Sequence, residues 1–267
     1  MSTPTKSDNE PLRWREVAQA VRQQQIGHSI VYRTEVDSTM EVCHALARAD
    51  AESGVVVAAD SQSAGRGRQG RAWHAPPSTC LLFSVLLRPT LKRDQWLHAL
   101  WPLAVALQEA TEHVTGLRAA IKWPNDLILC GKKLGGLLAE TTADAVVVGA
   151  GLNVNFPAGA LSLDQPVATV SDALGRHVSR EELLVASLRS FDRWYRRWLA
   201  APDEVWQAWR DGAYLIGQPV DVSVGGNTFS GIAEDQDRKG RLCVRAADGR
   251  VRRFTAGDAS VRPIRAR

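Results

Sequence analysis

No uninterrupted apolar run in this chain of 267 residues approaches the ~20 needed to cross a bilayer, although 45% of the residues are hydrophobic. That balance predicts a soluble globular protein, long enough for one well-cored domain and a small second one. Residues 1–11 are polar, with acids and Lys6 but no apolar stretch, so they lack the core of a secretory signal and the cytoplasm is the expected compartment. Cysteine is scarce: Cys43, Cys80, Cys130 and Cys243 lie far apart, three of them inside apolar stretches. Such spacing argues for reduced core residues and against a disulfide framework or a zinc site. The six histidines show no metal-ligand spacing, and no convincing Ser/His/Asp or Cys/His set points to a nucleophilic enzyme. Residues 216–267 hold ten Lys/Arg against six Asp/Glu, so the formal excess of +4 sits entirely there. A surplus of this size suits an acidic partner or nucleic acid, and equally an ordinary solvated surface.

What is present is a loop, Gly65-Arg66-Gly67-Arg68-Gln69-Gly70-Arg71 followed by Trp73, in which fixed charge alternates with backbone that can approach a ligand closely. Its Gly65-x-Gly67-x-x-Gly70 spacing also fits the dinucleotide fingerprint, but that motif leaves its strand directly and opens a helix. Here five residues separate the apolar run 55–59 from Gly65, and Pro76-Pro77 stand where the helix should be. A mobile loop that embraces phosphate is the better reading.

The rest of the chain divides by pattern. Residues 14–21 form a short amphipathic stretch, and a strand is expected at 30–32. Ser38-Thr39-Met40-Glu41 is a capping-box sequence for a helix reaching about Arg48. Strands are expected at 55–57 and 80–87, and a long helix over 96–115. Four β-like segments follow at 119–123, 127–130, 133–140 and 145–153, an antiparallel succession with Gly131-Lys132 as a two-residue hairpin turn. Ser179 caps a second long helix to about Leu199, and a third covers 202–214. From Gly217 short strands at 220–224, 228–233, 242–246 and 251–255 alternate with Gly-containing turns, which describes a small SH3-like barrel. The expected units are an N-terminal extension (1–27), a main domain (28–215) and the barrel (217–267).

Three further motifs carry chemistry. In Lys122-Trp123-Pro124-Asn125-Asp126, proline bends the chain as it leaves a strand and sets a lysine and an aspartate where they can hold a phosphate and its magnesium ion; a plain turn would explain the last three residues as well. In Lys132-Lys133-Leu134-Gly135-Gly136, alternation sends the two lysines to opposite faces, and Lys133, past the turn, is the one expected in a site beside the glycines. In Gly149-Ala150-Gly151-Leu152-Asn153, small residues leave room for a ligand and Asn153 offers donors and an acceptor.

Taken together, in this order and spacing, the four motifs resemble those of the biotin protein ligases over residues 30–155, and the C-terminal barrel is in keeping with that family. The resemblance implies an α+β fold: a mixed, mostly antiparallel sheet with helices, like that of class II synthetases, plus an SH3-like domain. It implies ATP, Mg²⁺ and the substrate biotin, formation of biotinyl-5′-adenylate, and transfer to a lysine of the biotin carboxyl carrier protein of a carboxylase. Ser38, Thr39, Gln62, Gly65, Arg66, Lys133 and Gly135 match biotin-binding positions. Arg68, Arg71, Trp73, Lys122, Asn125, Asp126 and Asn153 match positions around the nucleotide, with Gly136 nearby, and Lys133 and Arg68 match the catalytic pair. No metal ligands are assigned. Residues 1–27 leave no room for a winged helix, so the short class without operator DNA binding is expected; a homodimer is allowed and no membrane partner is expected. Pro77-Ser78-Thr79 stands where many members have a glycine-containing turn. Lipoyl or octanoyl transfer on the same fold, and a nucleic-acid-binding module, are the competing readings.

Overall fold

The structure, a computed structural model, describes residues 10–161, 166–256 and 259–264. Residues 1–9 of the expected N-terminal extension, and 257–258 and 265–267 of the expected barrel, lie outside these. The chain runs α1 (Trp14–Val21), β1 (Ile30–Val36), α2 (Thr39–Arg48), β2 (Val56–Gln62), β3 (Cys80–Leu87), α3 (Leu100–Thr115), β4 (Ala120–Lys122), β5 (Asp126–Leu129), β6 (Lys132–Thr141), β7 (Val146–Asn153), α4 (Val170–Leu174), α5 (Arg180–Ala200) and α6 (Pro202–Asp211). Five strands follow: β8 (Pro219–Val224), β9 (Asn227–Gln236), β10 (Leu242–Arg245), β11 (Val251–Phe254) and β12 (Ala259–Pro263). None of the helices among the described residues is long and apolar enough to cross a membrane.

The first seven strands make one sheet in the order β1-β2-β3-β7-β6-β5-β4, antiparallel except for the β1–β2 pair. Strand β3 is buried along its whole length, which is why it reads as an apolar run interrupted only by Ser84. Alternate residues of β3 serve different layers: Leu81, Phe83, Val85 and Leu87 join the large core beneath α3 and α5, whereas Leu86 packs with Met40, Cys43 and Ala47 of α2. Val17, Val21 and Ile26 are fully buried in the same large core, so residues 10–27 pack as part of the main body.

Three local expectations shift. Residues 93–99 form 3₁₀ turns before the α-helix begins at Leu100; Pro102, lacking an N–H, cannot bond back to residue 98 as a continuous α-helix requires. The hairpin turn is Cys130-Gly131, one residue earlier than expected, because both residues take positive φ (50° and 72°) and Leu129 pairs with Lys132. The Ser38 capping box does not form: Ser38 Oγ has no partner, and Glu41 pairs instead with Arg66 at 2.6 Å.

The last five strands form an antiparallel sheet, β11-β10-β9-β8-β12. Its fifth strand, β12, was not expected from the sequence. Val220, Val222, Leu242, Val244 and Val261 of this sheet are buried in continuity with the main core.

Candidate active site

A cavity of about 470 Å³ opens against the central strands of the larger sheet, within the size range of small-molecule sites. The sequence motifs, spread over more than a hundred residues, converge on it. Ser38, Thr39, Gln62, Arg66, Arg68, Arg71, Trp73, Lys122, Asn125, Asp126, Lys133, Gly136 and Asn153 all line it. Gly65 and Gly135 do not. A Cβ on Gly65 would stand 2.6 Å from the Trp73 carbonyl oxygen, and one on Gly135 would stand 2.8 Å from that of Gly151. Both glycines therefore permit backbone to pass close to backbone behind the wall.

At one end, Thr39 N–H donates to Gln62 Oε1 at 2.8 Å and Thr39 Oγ1 lies 2.8 Å from Ser84 Oγ. Gln62 is placed by the strand it ends. Two residues upstream, Asp60 is buried and accepts from Leu12 N–H (3.1 Å), from Tyr32 and from the equally buried Arg180 (2.7 Å). Burial, then the hydrogen bond to Asp60, pushes the Tyr32 phenol up to about 12. Ser84 was missed from the sequence; its signal is a lone hydroxyl inside the apolar run Cys80–Leu87.

The other end is cationic. Lys133 Nζ lies 2.7 Å from Asp126 Oδ1 and 5.5 Å from the centre of the Trp73 ring. A bulge opposite Leu127 and Ile128 of β5 inserts one residue in β6 and brings Lys133 and Gly136 onto the same face; Gly136 would place a Cβ 3.4 Å from Lys133 Nζ. The backbone of Lys133 is pinned on its other side by Pro166 O and Ala168 N–H, and Asn153 Nδ2 donates to Ala168 O at 3.2 Å. Asn125 accepts from Arg68 Nη1 at 3.2 Å and donates to Leu137 O at 2.7 Å. Burial lowers the Lys122 pKa, offset in part by Asp126 and reinforced by Lys133, Arg262 and Arg71; burial likewise lowers that of Arg68. Arg262 comes from β12 of the barrel, a contribution that no local pattern announced.

Three polar atoms along this wall are buried without a hydrogen-bond partner: Ser38 Oγ, Arg68 Nη2 and Trp73 Nε1. Orphaned donors cost about 1–3 kcal/mol each, so a ligand that satisfies them gains accordingly. Asp126 is the sole acid among the described lining residues, and no group of three potential metal ligands occurs among the described residues. That donor set fits a magnesium ion carried in on phosphate oxygens, with one carboxylate at hand, and no all-protein metal cage.

Residues 32–156 match the Biotin/lipoate A/B protein ligase family, and residues 215–262 match the Biotin protein ligase C terminal domain. The biotin–[acetyl-CoA-carboxylase] ligase of Mycobacterium tuberculosis is 34% identical over 210 residues, covering 77% of this chain and 78% of that protein. The bifunctional ligase/repressor BirA of Bacillus subtilis is 30% identical over 254 residues, covering 90% of this chain and 77% of BirA. Among solved structures, the Aquifex aeolicus biotin protein ligase in complex with biotin and ATP superposes with a TM-score of 0.78 at 27% identity, over 88% of this chain and 99% of that one. With its motifs gathered on one cationic cavity and relatives of this similarity along most of its length, the chain belongs to the biotin protein ligase family.

Proposed function

We propose that this protein is an ATP-dependent ligase that attaches biotin to a biotin carboxyl carrier protein. In the first half-reaction a carboxylate oxygen of biotin attacks the α-phosphorus of ATP; the new O–P bond forms as the bond to pyrophosphate breaks, giving biotinyl-5′-adenylate. In the second, the amine of a carrier lysine attacks the acyl carbon, AMP leaves with the bonding pair, and the amine gives up its proton. Two anions must meet in the first step, and the cavity is arranged to cancel their repulsion. Lys133 and Arg68 face the reacting groups; Arg71, Lys122 and Asn125 surround the phosphates, with Trp73 against the nucleotide and Asn153 bracing Lys133. Ser38, Thr39 and Gln62 hold the ureido end of biotin, with Arg66 at the rim and Gly65 and Gly135 setting the backbone behind it. Mg²⁺ would bind the phosphates beside Asp126 and neutralise charge there. Residues 28–215, with α1 packed on them, carry the adenylation chemistry, and 217–267 support it and help receive the carrier.

The observation that carries this reading is the trio of orphaned buried atoms in a wall lined by cations. Relatives named as acetyl-CoA-carboxylase ligases support a carboxylase carrier as the acceptor. Cationic groups gathered into one cavity, and not spread as a stripe, weigh against a nucleic-acid module. The match of the barrel to the biotin ligase C-terminal domain weighs against lipoyl transfer. Neither step needs a second copy of the chain or DNA. Use of ATP and four free thiols fit the cytoplasm. The test is pyrophosphate release from MgATP, followed by transfer of labelled biotin to a purified apo-carrier. Release should depend on biotin; release without it, or driven only by lipoate or octanoate, would overturn the reading.

A further inference from the structure

Two indole N–H groups of the main body reach into the barrel. Trp206 Nε1 donates to Gln236 O at 3.0 Å, and Trp123 Nε1 donates to Gly240 O at 2.9 Å. The second is the more consequential, because Trp123 stands in the bend 122–126, whose residues, Trp123 among them, line the cavity. Trp123 is 1% exposed, so its N–H has no water to fall back on. The carbonyl it meets is itself held in place. Gly240 takes φ +73° in the β9–β10 turn, its N–H donates to Asp237 O at 2.8 Å, and a Cβ there would come 3.1 Å from Trp101. The Asp237 carboxylate accepts from the backbone of Lys239 and Arg241 (3.0 Å each) and from the Arg241 guanidinium (2.8 Å). The turn is thus rigid before it meets the tryptophan.

We infer that Trp123 is a positioning residue: its bond to Gly240 lets the barrel set the bend that carries Lys122 and Asn125, and so tunes the nucleotide end of the cavity while leaving the biotin end alone. The inference rests on the adenylation reading above. Trp123→Phe keeps a ring and removes the N–H. It should raise the KM for ATP at least fivefold in biotin-dependent pyrophosphate release, with biotin affinity, measured by calorimetry, within twofold of wild type. Trp206→Phe removes a bond of the same chemistry to the same segment, away from the bend, and should leave the KM for ATP unchanged. If Trp123→Phe does not fold, Asp237→Asn, which loosens the turn from the barrel side, should raise the KM for ATP in the same direction. An unchanged KM for ATP in the folded variant, an equal rise in Trp206→Phe, or an equal loss of biotin affinity would each overturn the inference. A wild-type protein that shows no biotin-dependent release would instead sink the adenylation reading on which it rests.

Discussion

Lys132 and Lys133 are neighbours in β6 and point to opposite faces: Lys132 is exposed, whereas Lys133 enters the cavity and meets Asp126 at 2.7 Å. Lys133→Ala should therefore slow biotin-dependent pyrophosphate release by a factor of 100 or more, about 3 kcal/mol in the transition state, with little change in melting temperature. Lys132→Ala should stay within about twofold, since an exposed cation contributes little. Exchanged phenotypes would refute the strand register. A second prediction concerns Glu181, which lies at the junction of α1 and α5. Burial alone would raise its pKa, but the Arg13 amide (3.1 Å), the Arg13 guanidinium (3.3 Å) and the Ser179 hydroxyl (3.0 Å) stabilise the carboxylate and hold it at about 2. A folded-state pKa below the usual 4.5 means that this stabilisation is fully present above pH 4.5 and is lost as the pH falls toward 2. Glu181→Gln should cost on the order of 2 kcal/mol at neutral pH. In urea titrations the gap to wild type should close as the pH falls through that window; a gap independent of pH would refute the assignment.

At the scale of elements, the arginine-glycine loop is tied to the body through Arg68, which donates to Asn125 at 3.2 Å, and through Arg66. Arg66 pairs with Glu41 of α2 and, at 3.3 Å, with the half-buried Glu140 of β6; Arg66 and Glu41 are exposed. Such pairs contribute roughly 0–1 kcal/mol each, and satisfying Arg68 Nη2 and Trp73 Nε1 with ligand should favour the closed form. Biotin with MgATP is expected to slow tryptic cleavage at Arg66, Arg68 and Arg71 at least tenfold. Cleavage at the same rate with and without ligand would count against this role. Helix α2 shows how far local pattern reaches. Ser-x-x-Glu correctly marks where the helix starts, but the Ser38 hydroxyl stays unpaired and faces the cavity, because the geometry that suits a cap also suits a ligand.

At the scale of the molecule, the barrel shares its core with the main body and reaches the site in two ways, through Arg262 on the cavity wall and through the turn under Trp123. A truncation after Leu215 should therefore lose adenylate formation as well as transfer to the carrier. It should also unfold at lower temperature, since it uncovers Trp101 and Trp123, both nearly fully buried in the intact chain. Full adenylation by a soluble truncated protein would show that the barrel is dispensable for the first half-reaction.

The sequence by itself determined the elements and the chemistry. Alternation set Lys133 apart from Lys132, apolar periodicity marked most strands and the long helices, and four local motifs named the cavity wall, because each depends on residues within about ten positions of one another. Tertiary structure decided what lies beyond that range. It set the bulge that turns Gly136 to the same face as Lys133 and the one-residue shift of the hairpin to Cys130-Gly131, where strand pairing competes with turn preference. It also placed Ser84 beside Thr39, locked Asp60 to Arg180 across 120 residues, and carried Arg262 from an unanticipated strand into the site. Those contacts join segments distant in the chain, and only the packing of helices and of the second sheet around the first brings them within reach.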